Sequence, residues 1–265
     1  MIFAKKSLGQ NFLVDQNIIK KIVNSVKVTN KNVLEIGPGK GALTNEILKK
    51  NPKSLTLVEK DYEIYENLKE KYKENKKIEV KNNDILNFDL EKKLKKNSII
   101  FGNLPYNISS QILVKIIRFK IWPPNFTDVI FMFQKEMADR IIGKFGTSKY
   151  GRLSILSNYR LNVVDKFKVS PNCFFPKPKI DSTVLFLKPN NKVETKIRNI
   201  KNLEFVTQVF FSKQRKMVNK AFLKLFKNPR NISKELNIDF SLRPGQLSEN
   251  DFYRIVKCYE KYKKI

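Results

Sequence analysis

Three carboxylates and a cluster of glycines recur at intervals in the N-terminal part of this chain. Glu35 stands two residues before Gly37 in "LEIGPGKGALT", Glu59 closes "SLTLVE", and Asp84 lies in "NNDIL". Glycines at 37, 39 and 41 let the backbone turn sharply and let a ligand approach the main chain closely. Their spacing is G-x-G-x-G, which differs from the G-x-G-x-x-G of a pyrophosphate-binding loop. A carboxylate at Glu35 would repel a pyrophosphate and attract an ammonium group. Glu59 falls where an acidic side chain takes the two hydroxyls of a ribose. Asp84 falls where a carboxylate can accept from the exocyclic amine of an adenine. Singly, each acid is as well explained as a helix cap or a solvated strand end. Together with Gly37 and Gly39 they describe a site for an adenosine-bearing cofactor with an amino-acid tail, S-adenosylmethionine.

A second constellation, "FGNLPYNISS", occupies residues 101–110. The Asn103 side chain offers one acceptor and two donors. Its amide oxygen, with the carbonyl of Leu104 or of Pro105, can accept both hydrogens of a planar exocyclic amine. Pro105 stiffens the backbone that aims those carbonyls, and Tyr106 can stack on a base ring. The chain contains no histidine, so the commonest general base and the commonest metal ligand are both missing. Methyl transfer from a sulfonium needs neither. It needs donor, methyl and acceptor in line, with polar groups placed where charge develops. No metal is expected.

These residues need a frame that gathers strand ends on one rim. Short apolar runs at 32–36, 54–59, 77–84, 97–103 and 128–133 alternate with helical patterns, including one from about residue 42 to residue 50 and one from Asp61. Strands separated by helices imply parallel pairing through crossover connections. Runs such as "VIFMF" fit strands covered on both faces. In an open parallel sheet, ligands sit beyond the carboxyl ends of the strands. The segments 163–169 and 182–188 form a hairpin-like pair around the Pro-rich "SPNCFFPKPKID". The polar stretch 188–196 reads as a linker, and helical spacing follows it. The fold class expected is α/β, a Rossmann-like, mostly parallel sheet with helices on both faces, plus a small all-helical C-terminal domain. The division expected is 1–190 and 197–265.

The chain has 265 residues and a formal net charge of +28, from 53 Lys and Arg against 25 Asp and Glu. Such an excess favours a polyanionic partner, with nucleic acid foremost. Compositional drift accounts for Lys outnumbering Arg, but less well for the imbalance of sign. No apolar run of about eighteen residues is present, so no membrane span is expected. The N-terminus lacks the apolar region of a secretory signal. Cys173 and Cys258 are isolated thiols with no metal-ligand spacing, which suits a reducing cytoplasm.

On these residues the chain resembles the ribosomal RNA adenine N6,N6-dimethyltransferases of the KsgA/RsmA type. The resemblance runs nearly the full length. It rests on "SLGQNFLVD" (7–15), "VLEIGPGKGALT" (33–44), "VEKD" (58–61), "NND" (82–84), "NLPYNISS" (103–110), "FMFQKEMADRI" (131–141) and "FFPKPKIDSTV" (174–184). It implies that Asn11 and Leu13 close over the cofactor and that Gly37 serves its methionine side. Glu59 would take the ribose, Asp84 the adenine, and Asn103 would lie between cofactor and target base. Tyr106 and Phe174 would hold an adenine taken out of its stack. An antiparallel strand would close the sheet. The implied substrate is a pair of adjacent adenosines near the 3′ end of 16S ribosomal RNA, each methylated twice within an immature 30S subunit, by an enzyme expected to be monomeric. A relative of that type that methylates 23S RNA is the alternative. A non-catalytic RNA-binding assembly factor on the same fold is another, although it would not need an intact set of acids. "FFSKQRKMVNKAF" (210–222) resembles the 16S type better, with one departure: Lys216 follows Arg215 where two arginines are usual. Lysine keeps the charge and loses bidentate geometry.

Overall fold

The computed structural model describes Lys5 and residues 9–262. Ser7 and Leu8 of the N-terminal motif lie outside the described residues. The chain begins with β1 (Phe12–Leu13), α1 (Gln16–Asn24), β2 (Asn32–Ile36), α2 (Ala42–Lys49), β3 (Ser54–Glu59), α3 (Tyr62–Lys71) and β4 (Ile78–Asn82). It continues with α4 (Leu90–Lys93), β5 (Ser98–Asn103), α5 (Ser109–Ile117), β6 (Phe126–Gln134), α6 (Lys135–Ile141) and α7 (Arg152–Arg160). Then come β7 (Leu161–Val169), β8 (Phe174–Phe175), β9 (Ser182–Pro189), α8 (Ile200–Phe211), α9 (Asn219–Leu225), α10 (Pro229–Leu236) and α11 (Glu249–Tyr262).

Seven strands form one sheet in the order β4-β3-β2-β5-β6-β9-β7. The pairs β4-β3, β3-β2, β2-β5 and β5-β6 are parallel, and β9 runs antiparallel to β6. The order turns around at β2 and β5, which places a crevice beyond their carboxyl ends. Burial follows position in the sheet. The first five residues of the central β5, Ser98 to Gly102, are buried, and so are Val33 to Ile36 of β2. The edge strand β4 has no fully buried residue and carries Glu79 and Lys81, the charge that keeps an edge from pairing further. The antiparallel closing strand matches the resemblance. The 163–169 and 182–188 segments are neighbours, as β7 and β9.

Two compact units result. The first takes the residues up to Ala138 together with Val163–Pro189, and the second takes Asp139–Asn162 and the described residues from Asn190 on. The expected division into 1–190 and 197–265 differs in one place, because Asp139–Asn162 clusters with the C-terminal helices. Packing within that unit explains it. Tyr150 Oη donates to the Leu247 carbonyl at 3.0 Å, Tyr253 Oη donates to the Ile155 carbonyl at 3.3 Å, and the Tyr159 and Tyr253 rings lie 4.9 Å apart. The stretch read as a linker is also anchored there: Asn190 Nδ2 donates to the Asn158 carbonyl at 2.8 Å, and Tyr159 Oη donates to the Thr195 carbonyl at 3.4 Å. Such ties join distant segments and leave no local mark in the sequence.

Candidate active site

The first unit carries a cleft of about 360 Å³ at the carboxyl ends of its parallel strands. Glu35, Gly37, Gly39, Glu59, Asp84 and Asn103 all line it, as do Asn11, Leu13 and the run from Leu104 to Tyr106. Strand geometry brings them together: β2 ends one residue after Glu35, β3 ends at Glu59 and β5 ends at Asn103. Asp84 is a small correction. It lies two residues beyond the end of β4, in the following loop.

Each acid is held differently. Glu35 is 1% exposed, and Thr44 from α2 donates its hydroxyl to Glu35 Oε2 at 2.7 Å. Burial pushes the Glu35 carboxyl up to about 7; the Thr44 bond opposes the shift and the Glu59 charge adds to it. No Lys or Arg forms an ion pair with Glu35 among the described residues, so a cation brought by a ligand would satisfy it. Glu59 is also buried. Its Oε1 accepts from the Asp61 amide at 2.9 Å and its Oε2 from the Gly39 amide at 3.3 Å. Burial raises its pKa, with those two amides pulling the other way. Asp84 accepts from the Leu86 amide at 2.9 Å and pairs with Lys60 Nζ at 2.9 Å. Partial burial would raise its pKa, but the Lys60 ammonium and the Leu86 amide outweigh it and hold the carboxyl below its ordinary value.

The glycine loop leaves the space that these acids surround. Gly37 has φ +64°, and a Cβ there would meet nothing within 4 Å, so its main chain faces open cleft. Gly102 acts through close approach instead. A Cβ there would come within 2.5 Å of Leu104 Cδ2. Glycine there leaves room for the Leu104 side chain, which is 2% exposed.

Asn103 Nδ2 donates to the backbone carbonyl of Asn11 at 3.0 Å. A carbonyl can only accept, so this bond fixes which end of the amide is the NH₂. Oδ1 remains as the acceptor. The Pro105 carbonyl accepts from the Ile108 amide at 3.1 Å, in the turn that leads into α5. Of the two carbonyls considered, Leu104 is therefore the one left uncommitted. Tyr106 Oη and Ser182 Oγ lie 2.6 Å apart, which anchors the ring to the first residue of β9. Burial raises the Tyr106 pKa, with the Ser182 bond acting against it.

The N-terminal segment forms one wall. β1 pairs with β8, Phe12 opposite Phe175 and Leu13 opposite Phe174. The segment is also tied to Asp61, the N-cap of α3. Lys5 Nζ lies 2.9 Å from its carboxylate, and Gln10 Nε2 donates to it at 3.3 Å. Phe174 is not among the residues that line this cleft. It is 3% exposed and packs in the apolar cluster with Phe12 and Leu13, while Phe175 is 66% exposed. Alternation along β8 sends the two rings to opposite faces.

Two participants escaped sequence reasoning, and a third, Asn11, was expected only as a cover over the cofactor. Thr44 sits in the first turn of α2, where a hydroxyl facing the preceding strand end was a readable signal. Lys60 was hidden in "VEKD" as one lysine among many. The role of Asn11 comes from its backbone, which side-chain type cannot announce.

The comparisons agree on a family. The family model described as ribosomal RNA adenine dimethylase matches residues 2–261. A relative in Pelagibacter ubique, named ribosomal RNA small subunit methyltransferase A, is 46% identical over 260 residues, covering 97% of this chain and 97% of that one. A relative of the same name in Mycoplasma mobile is 41% identical, covering 95% and 96%. The crystal structure of a dimethyladenosine transferase from Plasmodium falciparum superposes with a TM-score of 0.80 at 26% identity, covering 94% of this chain and 98% of that one.

Proposed function

The chain belongs to the ribosomal RNA adenine dimethylase family, and on that premise we propose that it dimethylates N6 of two adjacent adenosines near the 3′ end of 16S ribosomal RNA, in an immature 30S particle. It is a methyltransferase that uses S-adenosylmethionine. The residues present fit that cofactor: a buried carboxylate at Glu35 with no ion pair among the described residues, an open main chain at Gly37, Glu59 at the end of β3 and Asp84 in the loop after β4. When bound, S-adenosylmethionine supplies a methyl group already activated by its sulfonium. Glu35 receives the ammonium, Glu59 the ribose hydroxyls, and Asp84 the adenine amine. Asn11 and Leu13 cover the site from the N-terminal side.

The observation that carries the chemistry is the commitment of Asn103 Nδ2 to Asn11. It leaves Asn103 Oδ1, with the Leu104 carbonyl, to accept both hydrogens of the target amine. Both bonds strengthen as positive charge grows on nitrogen. Pro105 keeps the pair aimed, and the anchored Tyr106 ring stacks on the extruded base. After one methyl transfer the amine keeps one hydrogen, so the second transfer proceeds on a single acceptor. The excess of Lys and Arg supplies attraction to the RNA backbone. No helix among the described residues is long and apolar enough to cross a membrane. The ribosomal RNA substrate calls for a cytoplasmic location, and the protein acts as a monomer.

Incubation with labelled S-adenosylmethionine and immature 30S particles, followed by mapping of the modified bases, tests the proposal. N6,N6-dimethyladenosine at two adjacent 16S positions is expected. Label confined to protein-free 23S RNA, or no dimethyladenosine at all, would overturn it.

A further inference from the structure

Lys60 and Asp84 emerge from the ends of neighbouring parallel strands, β3 and β4, in which Glu59 is opposite Asn82. The backbone at that point is pinned. Asn82 Nδ2 donates to the Glu59 carbonyl at 3.1 Å and to the Lys60 carbonyl at 3.3 Å, and Asn83 N donates to the Glu59 carbonyl at 3.0 Å. From this fixed base the Lys60 ammonium reaches Asp84 Oδ2 at 2.9 Å, while Oδ1 holds the Leu86 amide. Both residues line the cleft. We propose that Lys60 is a positioning residue for adenine recognition, holding the Asp84 carboxylate in the orientation that accepts the 6-amino group. The inference rests on the reading of Asp84 as the adenine acceptor.

A carboxylate has about four lone-pair sites. The Leu86 amide and the Lys60 ammonium use one on each oxygen, and the remainder are left for a ligand. Without Lys60, Oδ2 loses its anchor and the group turns about its side-chain torsions with one bond left. The cation also keeps Asp84 ionised, so it can accept but not donate. A 6-oxo purine presents an acceptor at the same place and is repelled. Lys115 assists from α5, where its ammonium donates to the Leu86 carbonyl at 2.7 Å and steadies the loop. The Lys60 side chain is itself 57% exposed, so its ion pair adds little to overall stability. A binding preference is therefore the property to read.

Calorimetric affinities for S-adenosylhomocysteine and its 6-oxo analogue, S-inosylhomocysteine, test this on the full chain. The variants are Lys60→Met, Lys60→Arg and Asp84→Ala. Lys60→Met is expected to cut the preference for the 6-amino ligand by about twofold to fivefold, the scale of one partly exposed ion pair. Lys60→Arg should restore it to within about twofold. Asp84→Ala should abolish it. An unchanged preference in Lys60→Met beside a lost one in Asp84→Ala overturns the role of Lys60 alone. A preference that survives Asp84→Ala overturns the adenine assignment itself.

Discussion

The cofactor side and the target side of the cleft are assembled over different distances. Glu59 is tied to the Asp61 amide 2 residues away and the Gly39 amide 20 away, Glu35 to Thr44 across 9, and Asp84 to Leu86 across 2. Asn103 leans on Asn11 across 92 residues, and Tyr106 on Ser182 across 76. The hydrogen bonds that hold the cofactor acids stay within neighbouring strand-helix units. The target side leans on the N-terminal segment and on β9, both distant in sequence. Cofactor binding and methyl transfer should therefore separate under mutation.

Variants can break that separation. The largest effect is expected from Asn103→Ala, which removes the acceptor at the target amine. Single-turnover methyl transfer should fall by at least about 100-fold, with cofactor affinity, read by calorimetry, kept within about tenfold. Glu59→Ala should do the reverse, weakening cofactor affinity by about 10- to 100-fold through loss of charge-assisted hydrogen bonds.

A third effect is one of pH. Burial first, opposed by Thr44 and helped by the Glu59 charge, raises Glu35 from 4.5 to about 7. The protonated form prevails at pH 6 and the carboxylate at pH 8. A cationic ligand group binds the carboxylate, so cofactor affinity should rise by up to about tenfold across that interval and level off above it. Glu35→Gln should flatten the profile. In the ligand-free protein the sign reverses: the stability that protonated Glu35 contributes is full below 4.5 and is lost as pH rises through about 7. The smallest effect sharpens the target side. Asn11→Ala keeps the backbone carbonyl that Asn103 uses, so turnover should stay within about threefold.

Much of this was legible before the fold was known. The acids and glycines stand at or just beyond strand ends whose apolar runs mark them, and "NLPY" starts at the end of a strand whose first five residues are buried. Alternating strands and helices were enough to put these on one rim. What the sequence hid is long-range. No local pattern reports that Tyr150 and Tyr253 bind Asp139–Asn162 into the helical unit. None reports that Phe174 turns inward while Phe175 turns outward, because a strand of two residues is too short to show alternation. Asn11 and Lys60 were obscured for another reason: one acts through its carbonyl, and the other is a common residue in a lysine-rich chain.

Rescue by mass action tests the separation most directly. Single-turnover methyl transfer is followed for Glu59→Ala and Asn103→Ala as the cofactor is raised to saturation. Glu59→Ala should recover to within about threefold of the unaltered protein, because its defect lies in binding. Asn103→Ala should stay slow at every concentration, because its defect lies in the chemical step. A saturated Glu59→Ala that remains slow, or an Asn103→Ala that recovers, would contradict the account.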